Sequence, residues 1–119
     1  MNKVSESSDP LEHIAKLDSN LQHRVRLAIC VLLADDSEMS FSRLKELLQE
    51  TDGSLGAQLR KLEDEKYLDM RKEIVGRKPV TWYRLSAAGR LALSNHIESM
   101  QALARMVGSG NVESKDRSA

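Results

Sequence analysis

The sequence predicts a mainly helical α+β fold with one small β-hairpin, and two changes of pattern carry that prediction. From Leu11 to Leu62, and again after Ser86, apolar residues recur every three or four positions, as in helices that bury one face. Between Tyr67 and Leu85 the period falls to two, which is the spacing of β-strands. We therefore expect several short helices, then a hairpin, then one long helix.

The chain has the size of one domain with two polar ends. Its 119 residues, 40% of them hydrophobic, suffice for a single core. We expect a folded domain over residues 11–107 and disordered tails over 1–10 and 108–119, which are polar and rich in small residues. No stretch approaches the ~18 apolar residues that cross a bilayer, and the start lacks the apolar core of a secretory signal. A single cysteine fits a reducing compartment, so we expect a cytoplasmic protein.

Helix signals divide the chain before the hairpin into four helices and one short strand. A short helix follows Pro10, and a longer one, with Asn20 as its N-cap, carries the segment LAICVLLA. This segment is apolar on nearly every side and predicts a helix that neighbours bury all round. MSF then forms an edge strand, Ser42 caps the third helix, and the fourth begins near Thr51. The apolar stripe of the fourth helix is Leu55, Leu59 and Leu62.

The hairpin and the last helix have their own local signals. Gly76 supplies permissive dihedral angles at the tip, and Pro79 lies where a missing N–H costs least. Ser86 caps the last helix. Its apolar positions follow spacings of four and three, a short heptad seam that consists of Leu93, Ile97, Met100, Ala104 and Val107.

Residues 52–90 read DGSLGAQLRKLEDEKYLDMRKEIVGRKPVTWYRLSAAGR. This segment resembles the small stand-alone winged-helix transcriptional regulators related to the MarR and ArsR groups. The shared features are the aspartate-glycine-polar-leucine start, the LRKLE middle and the VGRKP and AAGR motifs around the return strand. The resemblance covers about Leu21 to Met106 and implies a winged helix-turn-helix with a long C-terminal dimerisation helix. The chain departs from the family at Lys66, where Gly is common after the recognition helix, and at Gln58, where His or Arg is common.

The resemblance implies that the fourth helix enters the major groove of double-stranded DNA, while the hairpin, or wing, lies on the backbone or in the minor groove. Small residues at the start of that helix allow a close approach, and Ser54, Gln58 and Lys61 are candidate readers of base edges. Gln58 is suited to bidentate pairing with adenine. The candidate DNA-binding residues are Ser42, Arg43, Gly53, Ser54, Ala57, Gln58, Arg60, Lys61, Arg71, Lys72, Arg77 and Lys78.

Local charge supports DNA binding although the net charge is zero. Residues 70–84 carry five cations and one glutamate, a local charge of +4, and Arg77 and Lys78 stand at the hairpin tip. Such a tip gains affinity by releasing counterions from phosphates. Residues 34–52 carry a local charge of −4, which favours the alternative that the domain docks a partner protein without binding DNA.

The length of the last helix indicates a homodimer. Residues 86–107 span about 33 Å, more than so small a domain needs to cover itself. The alternative is that Leu93, Ile97 and Met100 fold back on the chain's own core. Two-fold symmetry would place two recognition helices ~34 Å apart, on a pseudo-palindromic site with half-sites ~10 bp apart. The candidate dimerisation residues, including those that the resemblance implies in the first helix, are Leu11, Ile14, Leu17, Leu93, Ile97, Met100, Ala104 and Val107.

The other chemistry-bearing residues give weaker signals. The three histidines are scattered over different helices, and no nucleophile or phosphate-loop motif is present, so we expect neither a metal, nor a cofactor, nor an enzyme. We expect Cys30 to be a small buried residue of the core. We also expect at least one of Trp82 and Tyr83 to cover the core. The sequence names no small-molecule effector. In a chain this short, such a ligand would have to bind at the dimer interface.

Overall fold

Helices and strands follow one another in the predicted order in a computed structural model that describes residues 9–118, with side chains over 9–108. Residues 18–93 form one unit, here the central unit, and residues 9–17 with 94–118 form another, the terminal unit. A 3-10 turn, Ser19–Leu21, precedes the second helix. The elements are α1 (Pro10–Ala15), α2 (Arg24–Leu32), β1 (Glu38–Ser40), α3 (Phe41–Leu48), α4 (Asp52–Asp64), β2 (Leu68–Val75), β3 (Lys78–Leu85) and α5 (Ala87–Ser118).

The start of α2 differs from the prediction. Asn20 lies in the 3-10 turn, where its own amide donates to the Asp18 carboxylate at 2.8 Å. The ring nitrogen Nδ1 of His23 accepts from the amide of Val25 at 3.2 Å and caps α2. Asn20 as N-cap was therefore wrong. Asp18, two residues earlier, starts a separate turn and delays the helix by several residues.

The helix α2 is not buried all round. Ile29 and Cys30 are buried, as is Leu33 just after the helix, but Val31 is 51% exposed. The main neighbours of α2 in the central unit are the 3-10 turn, α3 and α4. They leave Val31 in solvent, so the expectation for LAICVLLA was wrong. An apolar run on every side of a helix does not by itself supply neighbours for every side.

The junction of β1 and α3 is shifted by two residues from the prediction. The edge strand is Glu38–Ser40, and Phe41 already belongs to α3. The Ser40 hydroxyl accepts from the amide of Arg43 at 3.1 Å and is the N-cap, whereas Ser42 is an exposed residue of the first turn. Ser42 as the cap was wrong, because the last strand residue already has the extended backbone that an N-cap requires.

The three strands form one antiparallel sheet in the order β1-β3-β2. β2 and β3 pair over their full length, from Leu68 opposite Leu85 to Val75 opposite Lys78. β1 covers only the base of β3, residues 82–84. The hairpin therefore extends well past β1 as a two-stranded ribbon. The alternation of sides puts Leu68, Tyr83 and Leu85 on the buried face.

The core of the central unit is built mainly from leucine. Leu55, Leu59 and Leu62 are at most 1% exposed, which confirms the predicted stripe of α4. The Tyr67 hydroxyl donates to the Asp18 carboxylate beside this core. Burial and this hydrogen bond raise the pKa of Tyr67 to about 12. The remaining buried apolar residues of the unit are Leu21, Ile29, Cys30, Leu33, Leu44, Leu68, Tyr83, Leu85 and Leu93.

The start of α5 is anchored to the turn that ends α4. The Ser86 hydroxyl donates to the carbonyl of Lys66 at 2.7 Å and accepts from the amide of Gly89 at 3.0 Å, so Ser86 caps the helix as predicted. The amide of Ser86 donates to the carbonyl of Tyr67 at 2.9 Å. Lys66 has φ 67°, so the turn keeps the left-handed residue that Gly provides elsewhere.

The terminal unit contains α1 and most of α5. α1 begins at Pro10 behind Asp9, whose carboxylate accepts from the amide of Leu11 at 3.0 Å. The α5 backbone continues through Gly108, where the sequence places the start of a polar tail, to Ser118. The tails stay predictions, and residues 1–8 lie outside the described residues. No helix in the described part of the chain has the length and apolar content to span a membrane.

Candidate nucleic-acid interface

A helix-turn-helix lies at the surface of the central unit. α3 and α4 are joined by Gln49, Glu50 and Thr51. Gln49 takes the left-handed conformation at φ 53° and reverses the chain. The Thr51 hydroxyl accepts from the amide of Ser54 at 3.1 Å and starts α4. A residue with positive φ and a threonine cap thus fix the angle at which α4 leaves the turn.

The surface of α4 opposite its leucine stripe is open. Gly53, Ser54, Arg60 and Lys61 are exposed, and Ala57 is half-buried. A side-chain carbon at Gly53 would meet no atom within 4 Å. The first turns of α4 therefore present backbone and small side chains, with cations further along the helix.

The hairpin tip is a tight two-residue turn. Gly76 at φ 55° and Arg77 at φ 73° are both left-handed and connect Val75 to its partner Lys78, as in a type I′ turn. Pro79 lies opposite Ile74, outside the reach of β1, so its missing N–H costs no bond to that strand. Arg77 and Lys78 are exposed and form no ion pair with any of the described residues.

The other cations of the hairpin are in different surroundings. Arg71 is bound to Glu38 and Glu73 at 2.8 Å each. Lys72 is exposed. Because successive strand residues point to opposite faces, Lys72 projects from the face of the sheet opposite to that of Arg71. Arg84 lies opposite Glu38 on β1 and Asp69 on β2. The local charge of +4 is thus divided: Arg71 is ion-paired and Arg84 faces two acids at the base, while Arg77 and Lys78 at the tip have no ion pair among the described residues.

Comparison with known proteins identifies this combination of helix-turn-helix and hairpin. The family model of the winged helix DNA-binding domain matches residues 25–104. The chain belongs to the winged-helix DNA-binding domain family. In the terms of that family, α4 is the recognition helix and the β2–β3 hairpin is the wing.

Individual proteins resemble this chain in sequence or in fold. An uncharacterized protein of Methanocaldococcus jannaschii is 31% identical over 83 residues, which cover 70% of this chain and 90% of the relative. A solved transcriptional regulator homologue from Pyrococcus horikoshii OT3 has 26% identity and a TM-score of 0.74, and covers 82% of this chain and 96% of its own. The candidate transcriptional regulator ytfH from Salmonella typhimurium has 20% identity and a TM-score of 0.60. The match covers 82% of this chain and 85% of ytfH and shows a shared fold.

Gln58 of the recognition helix is held from the side. Arg26 of α2 donates from one terminal guanidinium nitrogen to Oε1 of Gln58, and from Nε to the carbonyl of Asn20 at 2.7 Å. Arginine has only donors, so the amide oxygen of Gln58 turns toward Arg26 and the NH₂ group turns away. Bidentate pairing with adenine uses both groups. The role of Gln58 as a reader stays a prediction, and in this arrangement its free group is a donor.

Carboxylates surround the start of the recognition helix. Glu46 pairs with Arg43 at 3.0 Å and Asp52 with Lys45 at 3.0 Å, while Glu50 accepts from the Ser54 hydroxyl at 2.6 Å. A surface depression of about 490 Å³ is lined by Ser42, Lys45, Glu46, Gln49 and Glu50. Arg43 and Ser54, both candidates for DNA contact, thus have acidic partners that phosphates would have to displace.

The candidate dimerisation residues divide by exposure. Leu11 and Ile14 of α1 are 70% and 47% exposed, and Val107 of α5 is 63% exposed. Ala104 is exposed too, whereas Leu17, Ile97 and Met100 are half-buried. Leu93 is buried and belongs to the central unit. Apolar surface for a partner therefore remains at α1 and toward the end of the seam.

Sequence reasoning missed several residues. His96 and Ser99 are 2% and 7% exposed, although both lie outside the heptad seam. Glu38 and Arg26 hold Arg71 and Gln58 from elements distant in sequence. For α5, the step from Leu93 to His96 fits a helical stripe, but polar residues in such a stripe give no signal in a hydrophobic pattern. For Glu38 and Arg26, no signal in a single sequence reports that they pair with Arg71 and Gln58.

Cys30 lies inside the core. Burial, with a smaller contribution from the charge of Asp18, raises the pKa of its thiol to about 12. The thiol is therefore protonated at neutral pH, and a protonated buried thiol is a poor nucleophile.

Proposed function

We propose that this protein is a homodimeric regulator of transcription that binds double-stranded DNA sequence-specifically. The recognition helix α4 would enter the major groove, and the wing would lie on the backbone or in the minor groove. Membership of the winged-helix DNA-binding domain family and the likeness to a transcriptional regulator homologue support this proposal.

The observation that carries the proposal is the unpaired charge at the wing tip. Arg77 in the two-residue turn and Lys78 at the start of β3 are both exposed, and no acid among the described residues pairs with them. A solvated pair of cations at the end of a β-ribbon is suited to phosphates or to the negative potential of a narrow minor groove.

The recognition helix would supply the specificity. The major groove is about 12 Å wide and admits an α-helix. Gly53 and Ala57 allow the backbone of α4 to come close, and Arg60 and Lys61 extend toward guanine edges or phosphates. With its oxygen held by Arg26, Gln58 would donate to acceptors such as guanine O6 or N7.

A homodimer would place two such helices on one face of DNA. The exposed Leu11, Ile14 and Val107 are the surface on which we base this part of the proposal. Half-sites would then be centred ~10 bp apart, one helical turn of ~34 Å, in a pseudo-palindromic site. The regulator would act by occupying promoter DNA and blocking or recruiting polymerase.

The test is binding to a fluorescent pool of random duplex DNA, measured by anisotropy over a series of salt concentrations. The variant replaces both tip cations, Arg77→Asn and Lys78→Gln. Asn tolerates the left-handed conformation of residue 77, so the turn keeps its shape while the charge is removed. We expect native binding to weaken steeply with salt, and the slope of log affinity against log salt to fall in the variant by about two for each DNA-bound protomer, or about four for the homodimer.

A matched control removes the same charge elsewhere. Lys16→Ala with Arg24→Ala changes two exposed cations outside the helix-turn-helix and the wing. This control should keep the native slope. An equal loss in both double variants would mean that general charge, and not the wing tip, attracts DNA.

The second candidate function is a winged helix that docks a partner protein. Glu46, Glu50 and Asp52 beside the start of α4 favour it, because they would repel phosphates and attract a basic surface. A native protein that shows no DNA binding even at low salt would make this function the leading one.

A further inference from the structure

One side-chain cluster ties the three strands of the sheet together at the base of the wing. The Arg71 cluster consists of Glu38 on β1, Arg71 and Glu73 on β2, and Trp82 on β3. Arg71 donates to both Glu38 oxygens, from Nε at 3.0 Å and from a terminal nitrogen at 2.8 Å. Its other terminal nitrogen donates to Glu73 at 2.8 Å. The guanidinium carbon lies 5.6 Å from the centre of the Trp82 ring, and Trp82 Nε1 donates to Glu73 at 3.2 Å.

The cluster strengthens the connection between β1 and the wing, which backbone pairing alone supports over only a short length. β1 pairs with only three residues of β3, Trp82 to Arg84, whereas the wing continues to Lys78. At about 3.4 Å per residue, Lys78 lies ~14 Å beyond Trp82. Arg71 sits directly opposite Trp82 and reaches across β3 to Glu38. A small rotation of the ribbon at this base would displace the tip by ångströms.

The charge balance argues against a phosphate contact by Arg71. Two carboxylates share its guanidinium, and its hydrogen bonds to Glu38 hold the pKa of that carboxyl below its ordinary value. If Arg71 turned to a phosphate, Glu38 and Glu73 would remain next to DNA without a counter-charge. Such uncompensated acids would repel the DNA backbone and so offset the attraction between Arg71 and the phosphate.

We propose that Arg71 is a positioning residue: through Glu38, Glu73 and Trp82 it fixes the direction of the wing and hence the place of Arg77 and Lys78, without itself contacting DNA. This inference rests on the proposed function. It assigns to Arg71 a task different from the direct contact that the sequence suggests.

The decisive variant is Glu38→Gln, because the two explanations predict opposite signs. Removal of a negative charge from a DNA-binding face should tighten binding by simple electrostatics. If Glu38 holds Arg71, the same change should weaken binding several-fold. The control is Asp69→Asn, an exposed acid of the same sheet face that forms no ion pair within the described residues, which should leave affinity unchanged or slightly higher.

Arg71 itself gives a second test. Lysine keeps the charge but lacks the planar fork that reaches two carboxylates. A positioning role predicts that Arg71→Lys and Arg71→Gln weaken binding to a similar extent, both with the native salt slope. A phosphate contact predicts that Arg71→Lys keeps most of the affinity and that Arg71→Gln lowers the slope by about one for each DNA-bound protomer, as Arg77→Asn should.

Trp82 reports on the cluster directly, since it is the only tryptophan of the chain. Its emission should shift to longer wavelength in both Arg71 variants and stay unchanged when the native protein binds DNA. A shift on DNA binding would mean that Arg71 leaves the ring and would overturn the inference. Tighter binding by Glu38→Gln would overturn it too, whereas an absence of native DNA binding would overturn the proposed function itself. Circular dichroism establishes that each variant is folded.

Discussion

At the scale of single residues, Gly89 shows a constraint that the structure makes specific. It lies in the first turn of α5 against the backbone of Tyr67. A side-chain carbon there would overlap the Tyr67 carbonyl oxygen and lie 2.9 Å from Cδ1 of Leu85. The same carbonyl accepts the Ser86 amide, so it cannot move without loss of that bond.

We expect Gly89→Ala to lower the free energy of unfolding by about 1–3 kcal/mol, the range for an overpacked core position. Gly56→Ala is the matched control, because the nearest atom to a new carbon at Gly56 is the end of the Arg60 side chain at 4.0 Å. That helical position should gain about 0.5–1 kcal/mol. Urea unfolding of both variants measures the difference, and equal effects would mean that Gly89 has room to relax.

Residues with positive φ show what could be predicted at this scale. Gly76 pointed to a left-handed turn and has positive φ, while the departure at Lys66 left open whether the turn differed or Lys66 was strained, and Lys66 has positive φ. Asp36 also has positive φ, which Asp tolerates better than most residues, whereas Gln49 and Arg77 share that conformation without any signal in residue type. Their backbone angles are imposed by the elements on either side, since the turn must close at that point whichever residue occupies it.

At the scale of elements, the two serines at the start of α3 provide a direct test of the cap. Ser40→Ala removes the oxygen that accepts the Arg43 amide and should cost about 1 kcal/mol of unfolding free energy. Ser42→Ala, two residues later in the same exposed turn, should change stability little. Thermal or urea unfolding distinguishes them, and a larger effect at Ser42 would restore the cap predicted from sequence.

The recognition helix and the wing were the most predictable elements. The leucine stripe of α4 and the alternation of the hairpin are periodic patterns, and both were confirmed in place and in facing side. The starts of α2 and α3 were predicted at the wrong residues, because more than one polar side chain near each start could act as a cap. Periodicity reports which face is buried and says little about the residue at which a helix begins.

At the scale of the whole molecule, the assembly remains the main prediction. Leu11→Glu with Ile14→Glu places charges on exposed apolar positions of α1, so the fold should persist while association is lost. Sedimentation should give twice 13.4 kDa for the native protein and 13.4 kDa for the variant. Val31→Glu, an exposed apolar position in α2, is the control and should stay dimeric. A native mass of 13.4 kDa at every concentration would refute the homodimer.

The sequence by itself determined the order of the elements, the buried leucines of α4, the hairpin and its basic tip, because periodicity, turn residues and local charge are written within short segments. Only the tertiary structure decided which cations are unpaired. Glu38 neutralises Arg71 from a strand 33 positions away, and Arg26 turns Gln58 from a helix 32 positions away. Such pairings depend on which elements become neighbours, and hydrogen bonds between distant polar side chains leave no periodic trace in one sequence.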